Sequence, residues 1–315
     1  MKIINDINLF PKLDYPVVTI GRFDGVHLGH RKLIEQLKNI AEKNAAQTVL
    51  ITFNPSPEEI LFTTEANSVR LLNIQQEKEA LLESLGIDYL LVIPFTEAFS
   101  KITPDEFIRT YLVEKIQLKE LVVGFSHHFG YEREGNFIQL NSLAKKYGFR
   151  VHEIPMEDIQ NRNITSVKIR KFLIDGMIEE ANALLGYSYN ISGIVVHGNR
   201  IGRIIGFPTA NIDVKDTYKN KLIPKQGVYA VLIRCQGNSY KGMANIGFRP
   251  TLKLEKHELT TEVNIFNFSR ELYGEKLTIF FVHRIRDEVK FENLENLKAQ
   301  LDKDKRKSIH VLENY

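Results

Sequence analysis

Along the first part of the chain, short apolar runs alternate with longer stretches whose apolar positions recur every three or four residues. VVTI (17–20), TVLITF (48–53), YLLVIPF (89–95), ELVVGF (120–125) and FRVHEI (149–154) are rich in Val and Ile and read as buried strands. HRKLIEQLKNIAEK (30–43), QQEKEALLESLG (75–86), TPDEFIRTYLVEK (103–115) and NFIQLNSLAKKYG (136–148) lie between them and read as amphipathic helices. Strands that alternate with helices pair in parallel through right-handed crossovers, so a doubly wound, Rossmann-like α/β sheet is expected. After about Gly186 the texture changes. ISGIVVHG, GVYAVLIRC, SYKGMANIG, LTTEVNIF and KLTIFFVHRIR follow one another across Gly, Pro and Asn turns, mostly without an intervening helix. That pattern predicts a compact antiparallel β-barrel. A final amphipathic segment, ENLENLKAQLDKDKRKSI, predicts a helix packed outside it. The Gly186–Ser192 segment is the expected boundary, giving domains 1–186 and 187–315 without a long linker. No internal repeat or low-complexity tract interrupts this order.

Composition narrows the class. The 315 residues are 43% hydrophobic, enough for two cores. No window resembles a membrane span, and MKIINDINLFPKLD at the N-terminus lacks the basic-then-apolar pattern of a secretion signal. The single cysteine, Cys235, excludes an internal disulfide framework and a cysteine-rich zinc site; in its apolar strand it reads as a buried filler. A soluble cytoplasmic protein is expected. The formal charge of +3 suits anionic small molecules and gives no case for nucleic acid, which calls for a clustered basic stripe with aromatics.

Candidate chemistry is concentrated in two places. GRFDGVHLGH (21–30) follows the first strand directly, at the carboxyl end where such sheets bind ligands. A glycine-rich turn feeding a helix exposes backbone N–H groups and the positive end of the helix dipole, which together form an anion site. Glycines let a phosphate approach the main chain, and His27 and His30 can donate hydrogen bonds to its oxygens. If both are helical, their spacing puts them on one face. The alternative is a turn carrying two solvated histidines; a zinc pair lacks a third ligand nearby. ITSVKIRKF (164–172) adds Thr165, Ser166, Lys168 and Arg170, either a second grip on the same anion or a capped surface helix.

The other place is GIVVHGNRIGRIIGFPTANI (193–212), where Gly198, Gly202 and Gly206 surround Arg200 and Arg203 and Pro208 stiffens the chain before Thr209 and Asn211. On an extended segment Thr209 and Asn211 point to one side, and their oxygens suit magnesium. An ordinary barrel turn is the alternative. In TTEVNIF, Glu262 shares a face with Asn264 and opposes Val263. A carboxylate facing into a barrel would be expensive without a partner or task, whereas one facing outward would be solvated. Alternation alone does not choose between them. No GxxxxGKS is present, so a P-loop kinase is not indicated.

The motifs themselves carry a resemblance. GRFDGVHLGH resembles the first signature of the bacterial bifunctional riboflavin kinase/FAD synthetase family, whose N-terminal module is an HxGH nucleotidylyltransferase. ITFNPSP (51–57) is similar to its phenylalanine–proline segment and ITSVKIR to its second nucleotide signature. IGRIIGFPTANI matches the riboflavin kinase signature, with QGVYAV, GMANIGFRPT, TEVNIF and ELYGEKLTIFFVHRIRDEVKF following in family order. The resemblance implies a bifunctional transferase that phosphorylates riboflavin with ATP and then adenylylates FMN to FAD, releasing pyrophosphate, with Mg2+ in both steps. It implies that Gly21, Phe23, Asp24, Gly25, His27, His30, Ser166 and Arg170 bind ATP for adenylylation, His27, His30 and Arg170 acting catalytically. Asn54, Pro55, Ser126 and His128 would contact the flavin there, with His127 beside them. In the kinase, Gly198, Arg203, Gly206, Pro208, Thr209, Asn211, Asn245 and Arg249 would bind ATP and flavin. Thr209 and Asn211 would hold the metal, and Glu262 would be the base, the inward choice for its face. His197, His257, His283 and Tyr273 read as barrel residues. Thr165, Val167 and Ser126 depart from the family's usual residues, and two alternatives to the bifunctional enzyme stand, the first motivated by Val167 and Ser126 and the second opposed by the presence of Glu262. One is a riboflavin kinase whose first module is a weak or regulatory nucleotide binder, and the other is a non-catalytic flavin or nucleotide sensor.

Overall fold

The computed structural model describes residues 1–61, 70–124, 137–154, 164–198, 201–214, 220–249 and 258–315. Its contacts divide the chain into two compact units, Met1–Ser166 and Val167–Tyr315.

The first unit runs β1 (Lys2–Ile4), β2 (Pro16–Ile20), α1 (Leu28–Lys43), β3 (Gln47–Phe53), α2 (Pro57–Leu61), α3 (Gln75–Ser84), β4 (Tyr89–Ile93), α4 (Glu97–Ser100), α5 (Pro104–Phe107), β5 (Glu120–Gly124), α6 (Phe137–Tyr147) and β6 (Arg150–Ile154). Its six strands form a parallel sheet in the order β1-β4-β3-β2-β5-β6. β2 is buried throughout, as a central parallel strand must be when helices cover both faces. Alternate residues feed two cores. Val17, Leu50, Leu90 and Val122 pack with Ile34, Leu37 and Ala41 of α1 and Leu82 of α3. Val18, Val49, Leu91 and Leu121 pack on the opposite face with Phe107, Leu112, Leu140 and Leu143. The chain moves outward from β2 through β3 to β4 and then returns to β5 on the other side of β2. The switch point therefore lies between β2 and β5, where the strand ends open a crevice. The helix expected over 103–115 is two pieces: α5, and a π-helical stretch, Ile108–Ile116, that ends at Gln117 with a left-handed φ of 58°. β1 was not expected, since three residues carry too little pattern to read.

The second unit contains α7 (Ser166–Asp175, its first residue in the first unit), α8 (Ile178–Leu185), β7 (Asn190–Val196), α9 (Ile201–Ile204), β8 (Ala210–Asp213), β9 (Gly227–Cys235), β10 (Asn238–Arg249), β11 (Glu258–Ile265), β12 (Lys276–Arg286) and α10 (Leu294–Val311). Six antiparallel strands close a barrel in the order β10-β11-β8-β7-β12-β9. α8 joins this unit: Asn182 Nδ2 donates to Phe281 O on β12 at 2.8 Å, and its Oδ1 accepts from Tyr189 N at 2.7 Å.

α10 fixes which face of the barrel is outside. Ala230, Met243 and Val282 pack with Leu312 at the end of α10, together with Ile205, Phe207 and Phe266. The opposite parity fills the interior: Val231, Ile233, Ile246, Val263, Ile279 and Phe281 are all buried. Cys235 is buried among apolar neighbours, and burial raises its thiol pKa.

Candidate functional sites

The turn after β2 is an unusual piece of backbone. Phe23 (φ 50°), Gly25 (φ 86°) and Val26 (φ 34°) all have positive φ, which for Phe and Val costs energy and needs firm support. Phe23 and Val26 are anchored in the core, at 1% and 0% exposure. Asp24 Oδ1 accepts from the backbone N–H groups of Leu72 (2.9 Å) and Asn73 (3.2 Å), tying the turn to the segment before α3. Ser166 Oγ, at the start of α7, donates to Asp24 O at 2.8 Å. This bond ties Ser166 to the glycine turn within the first unit. Arg170 lies about one turn further along α7, half-buried, in the second unit.

His27 is the N-cap of α1 rather than a helical residue: its Nδ1 accepts from His30 N–H at 3.3 Å. The two rings still meet, stacked 3.7 Å apart at 12°, and Phe23 packs against His30 at 5.0 Å. With Nδ1 of His27 an acceptor, the proton of its neutral form resides on Nε2, which is then a donor. His30 Nδ1 is buried and has no hydrogen-bond partner among the described residues. Burial first, then the positive fields of His27, Arg22 and Lys78, holds the pKa of His30 well below the ordinary imidazole value, so its neutral form prevails at neutral pH. Gly21 is half-buried, and a side chain there would press on the Phe23 ring at 3.1 Å. Asn54 is exposed and joined to Pro55 by a cis peptide bond. Ser126, His127 and His128 lie outside the described residues.

Sequence reading missed several neighbours of this turn. Arg22 pairs with Glu58 of α2. Thr52, near the end of β3, donates through Oγ1 to Arg22 O at 3.2 Å and accepts from Lys78 Nζ at 3.4 Å. Lys78 is only 6% exposed although it sits in QQEKEALLES, a segment that reads as an amphipathic helix with a charged face. Nothing in that pattern marks this lysine as buried.

In the second unit the polar groups are aligned by strand register. Glu262 of β11 lies opposite Asn211 of β8 and opposite Asn245 of β10, so the three occupy one row across neighbouring strands. The expectation of an inward Glu262 is corrected. Asn264 pairs with Met243, whose side chain lies under α10, so the even positions of β11 face outward while Thr261 and Val263 face in. Glu262 is nevertheless not solvated like a surface residue: it is half-buried, and Thr209 Oγ1 donates to its Oε2 at 3.1 Å. Asn264 Nδ2 holds the same segment by donating to Pro208 O at 2.7 Å. The cover over the row is thus the β7–β8 connection, in which Gly206 has a left-handed φ of 83°.

Gly198 is placed by close approach: a Cβ there would fall 2.1 Å from Asn211 Nδ2. Asn245 Nδ2 donates to Glu288 Oε1 at 3.2 Å. Arg203 is exposed and pairs with Glu271 at 3.1 Å, pointing this cation along the rim. The His197 ring packs against Tyr273, centroids 3.9 Å apart and tilted by 32°, and His283 pairs with Glu179. The side chain of Arg249, Arg200 and His257 lie outside the described residues.

A glycine turn on a parallel sheet is followed by a barrel carrying a Thr–Glu–Asn cluster, and the family comparisons, which divide the chain in the same way, make it a two-domain transferase. Residues 11–168 match the FAD synthetase model and residues 185–312 the riboflavin kinase model. The chain belongs to the bifunctional riboflavin kinase/FMN adenylyltransferase family. It is 40% identical over 319 residues to the protein of that name from Buchnera aphidicola, covering 100% of this chain and 99% of that one. With the Listeria monocytogenes and Escherichia coli proteins of the same name it shares 41% and 37% identity, each over 91% of this chain and 90% of the relative. A crystal structure from Streptococcus pneumoniae, described as a macrolide-efflux protein, superimposes with a TM-score of 0.86 at 32% identity, covering 99% of this chain and 98% of that one. Among the described residues no helix is long and apolar enough to cross a membrane.

Proposed function

We infer that the chain converts riboflavin to FMN in its barrel and FMN to FAD in its α/β unit, with residues 1–186 and 187–315 as the two functional modules. The observation that carries this reading is the Asn211–Glu262–Asn245 row with Thr209 hydrogen-bonded to the carboxylate.

In the kinase step the terminal ribityl hydroxyl attacks the γ-phosphorus of ATP. A new P–O bond forms, the bond to the β-phosphate oxygen breaks, ADP leaves, and Glu262 takes the hydroxyl proton. A positioned carboxylate in this role is worth about 10²–10⁴-fold. Thr209 fixes one carboxylate oxygen, leaving the other for the substrate hydroxyl. Thr209 and Asn211 supply neutral oxygens of the kind magnesium accepts when phosphates and water complete its shell, and the space left by Gly198 admits the Asn211 amide. Bound there, Mg2+ would neutralise charge on the phosphates. Gly198, Arg203, Gly206, Pro208, Asn245 and Arg249 complete the ATP and flavin pocket.

Adenylylation makes a different demand. An FMN phosphate oxygen, already anionic, attacks the α-phosphorus of a second ATP and pyrophosphate departs, so no strong base is needed. The demand is for donors: His27 Nε2–H, neutral His30, Arg170, Ser166 and the backbone around Gly21–Gly25 grip the polyphosphate, and Mg2+ bound to it would add counter-charge. Asn54, Pro55, Ser126 and His128 contact the flavin. The substrates are small molecules of the cytoplasm.

The two steps separate by mutation. Glu262→Gln should abolish FMN formation from riboflavin and leave FAD formation from supplied FMN intact. His30→Ala should do the reverse, so that FMN accumulates. Time courses of riboflavin, FMN and FAD on one preparation check both; equal loss of the two steps in Glu262→Gln would refute the division.

A further inference from the structure

Lys78 stands outside every motif, yet it is among the least exposed charged side chains of the first unit, at 6%. An ammonium has three N–H donors, and burying one without partners is costly. Among the described residues Lys78 uses one donor, in a long bond of 3.4 Å to Thr52 Oγ1. It forms no ion pair among them. Asp24, Glu59 and Glu79 act on it only at longer range. Two of these carboxylates are already engaged: Asp24 Oδ1 accepts from the Leu72 and Asn73 amides, and Glu59 Oε2 from Ser56 N–H at 2.7 Å.

The ammonium also has a definite address. Thr52, the penultimate residue of β3, follows Ile51, the partner of Ile20 at the end of β2, and its hydroxyl reaches the Arg22 carbonyl in the glycine turn. The charge of Lys78 is felt at His30. It therefore sits between α3 and the end region of β3, next to the glycine turn, with donors still to satisfy.

We propose that Lys78 is an unassigned nucleotide-binding residue of the α/β unit, whose two remaining N–H donors take an oxygen of the bound polyphosphate. The inference rests on the adenylyltransferase reading of that unit. It also gives the burial of a charge a purpose, because an anionic ligand supplies the counter-charge that the protein withholds. Burial lowers the pKa of the group, and an arriving phosphate would oppose that shift and keep it protonated.

The test uses the full chain and steady-state FMN adenylylation with ATP varied. Lys78→Met should lower kcat/KM for ATP about 10²-fold, the usual effect of losing one fixed donor to a transferring group. KM for FMN and riboflavin phosphorylation by the same preparation should not change, and Lys78→Arg should recover most of the loss. If the Met variant does not fold, Lys78→Gln decides the same question, since it keeps a donor for Thr52 and removes the charge. A folded Met or Gln variant with wild-type kcat/KM for ATP overturns the proposal. So does a loss that falls equally on ATP and FMN with a lowered melting temperature and no rescue by Arg, which is the signature of a structural lysine. If the wild-type chain makes no FAD from FMN and ATP, the parent reading fails; if it makes FAD and the Lys78 variants are indifferent, only this inference fails.

Discussion

The two sites hold their polar groups by different means. In the α/β unit a strained turn is clamped from outside: the Asp24 carboxylate grips two amides before α3, and Ser166 and Thr52 bond to carbonyls of the turn itself. In the barrel no strained turn is needed under the key groups, because the ladder puts Asn211, Glu262 and Asn245 abreast and a loop closes over them. The first arrangement makes geometry depend on a few buried bonds. The second makes it depend on strand register, which the whole barrel enforces. Damage should therefore spread differently in the two units.

The largest effect is expected at the clamp. Asp24→Ala leaves the buried N–H groups of Leu72 and Asn73 without their acceptor, at about 1–3 kcal/mol each. The α/β unit should unfold at lower temperature in calorimetry while the barrel transition stays put; an unchanged first transition would break the contrast. Next comes the barrel's dependence on close approach. Gly198→Ala should push the Asn211 amide aside and cut riboflavin phosphorylation about 10²-fold, the scale of a misplacement near 1 Å, with the melting of both units little altered.

A smaller effect concerns pH. The native pKa of His30 lies below its unfolded value of about 6.5. Above that pH both states are neutral there and the histidine contributes nothing to the pH slope. As pH falls through 6.5 the unfolded chain takes up a proton that the native state refuses, so stability falls until the native pKa is reached. Melting between pH 7.5 and pH 5.5, about a unit either side of that value, should show this decline in the α/β unit, and His30→Gln should flatten it. The smallest effect belongs to the rim: breaking the exposed Arg203–Glu271 pair with Glu271→Gln should change stability by less than about 1 kcal/mol.

Much of the fold was legible because both units advertise their cores. The Val/Ile runs of β2, β3, β4 and β5 are continuous, as doubly covered parallel strands require, and the barrel strands are separated by turn residues. β8 was not singled out as a strand, because four residues after a proline carry little alternation. The glycine turn after β2 and the riboflavin kinase signature were also legible, since both depend on glycines at fixed spacing. What the pattern concealed were tertiary facts. Spacing left open whether His27 is helical, and it is a cap. Alternation left the face of Glu262 open and the resemblance chose the inward one; the ladder turns it outward, and the Pro208–Thr209 segment covers it there. Lys78 carries no local mark of burial, since its contact with Thr52 of β3 is made across the fold.

The unequal margins of the two sheets carry one more consequence. A closed barrel has no edge strand, whereas the parallel sheet ends at β1 and β6. β1 is three residues long, and β6 carries Arg150, His152 and Glu153, with the first two pinned to Glu120. Short length on one side and a charged fringe on the other make both borders poor templates for a foreign strand, so the chain guards against fibre-like association at its rims without giving up the open crevice its chemistry needs.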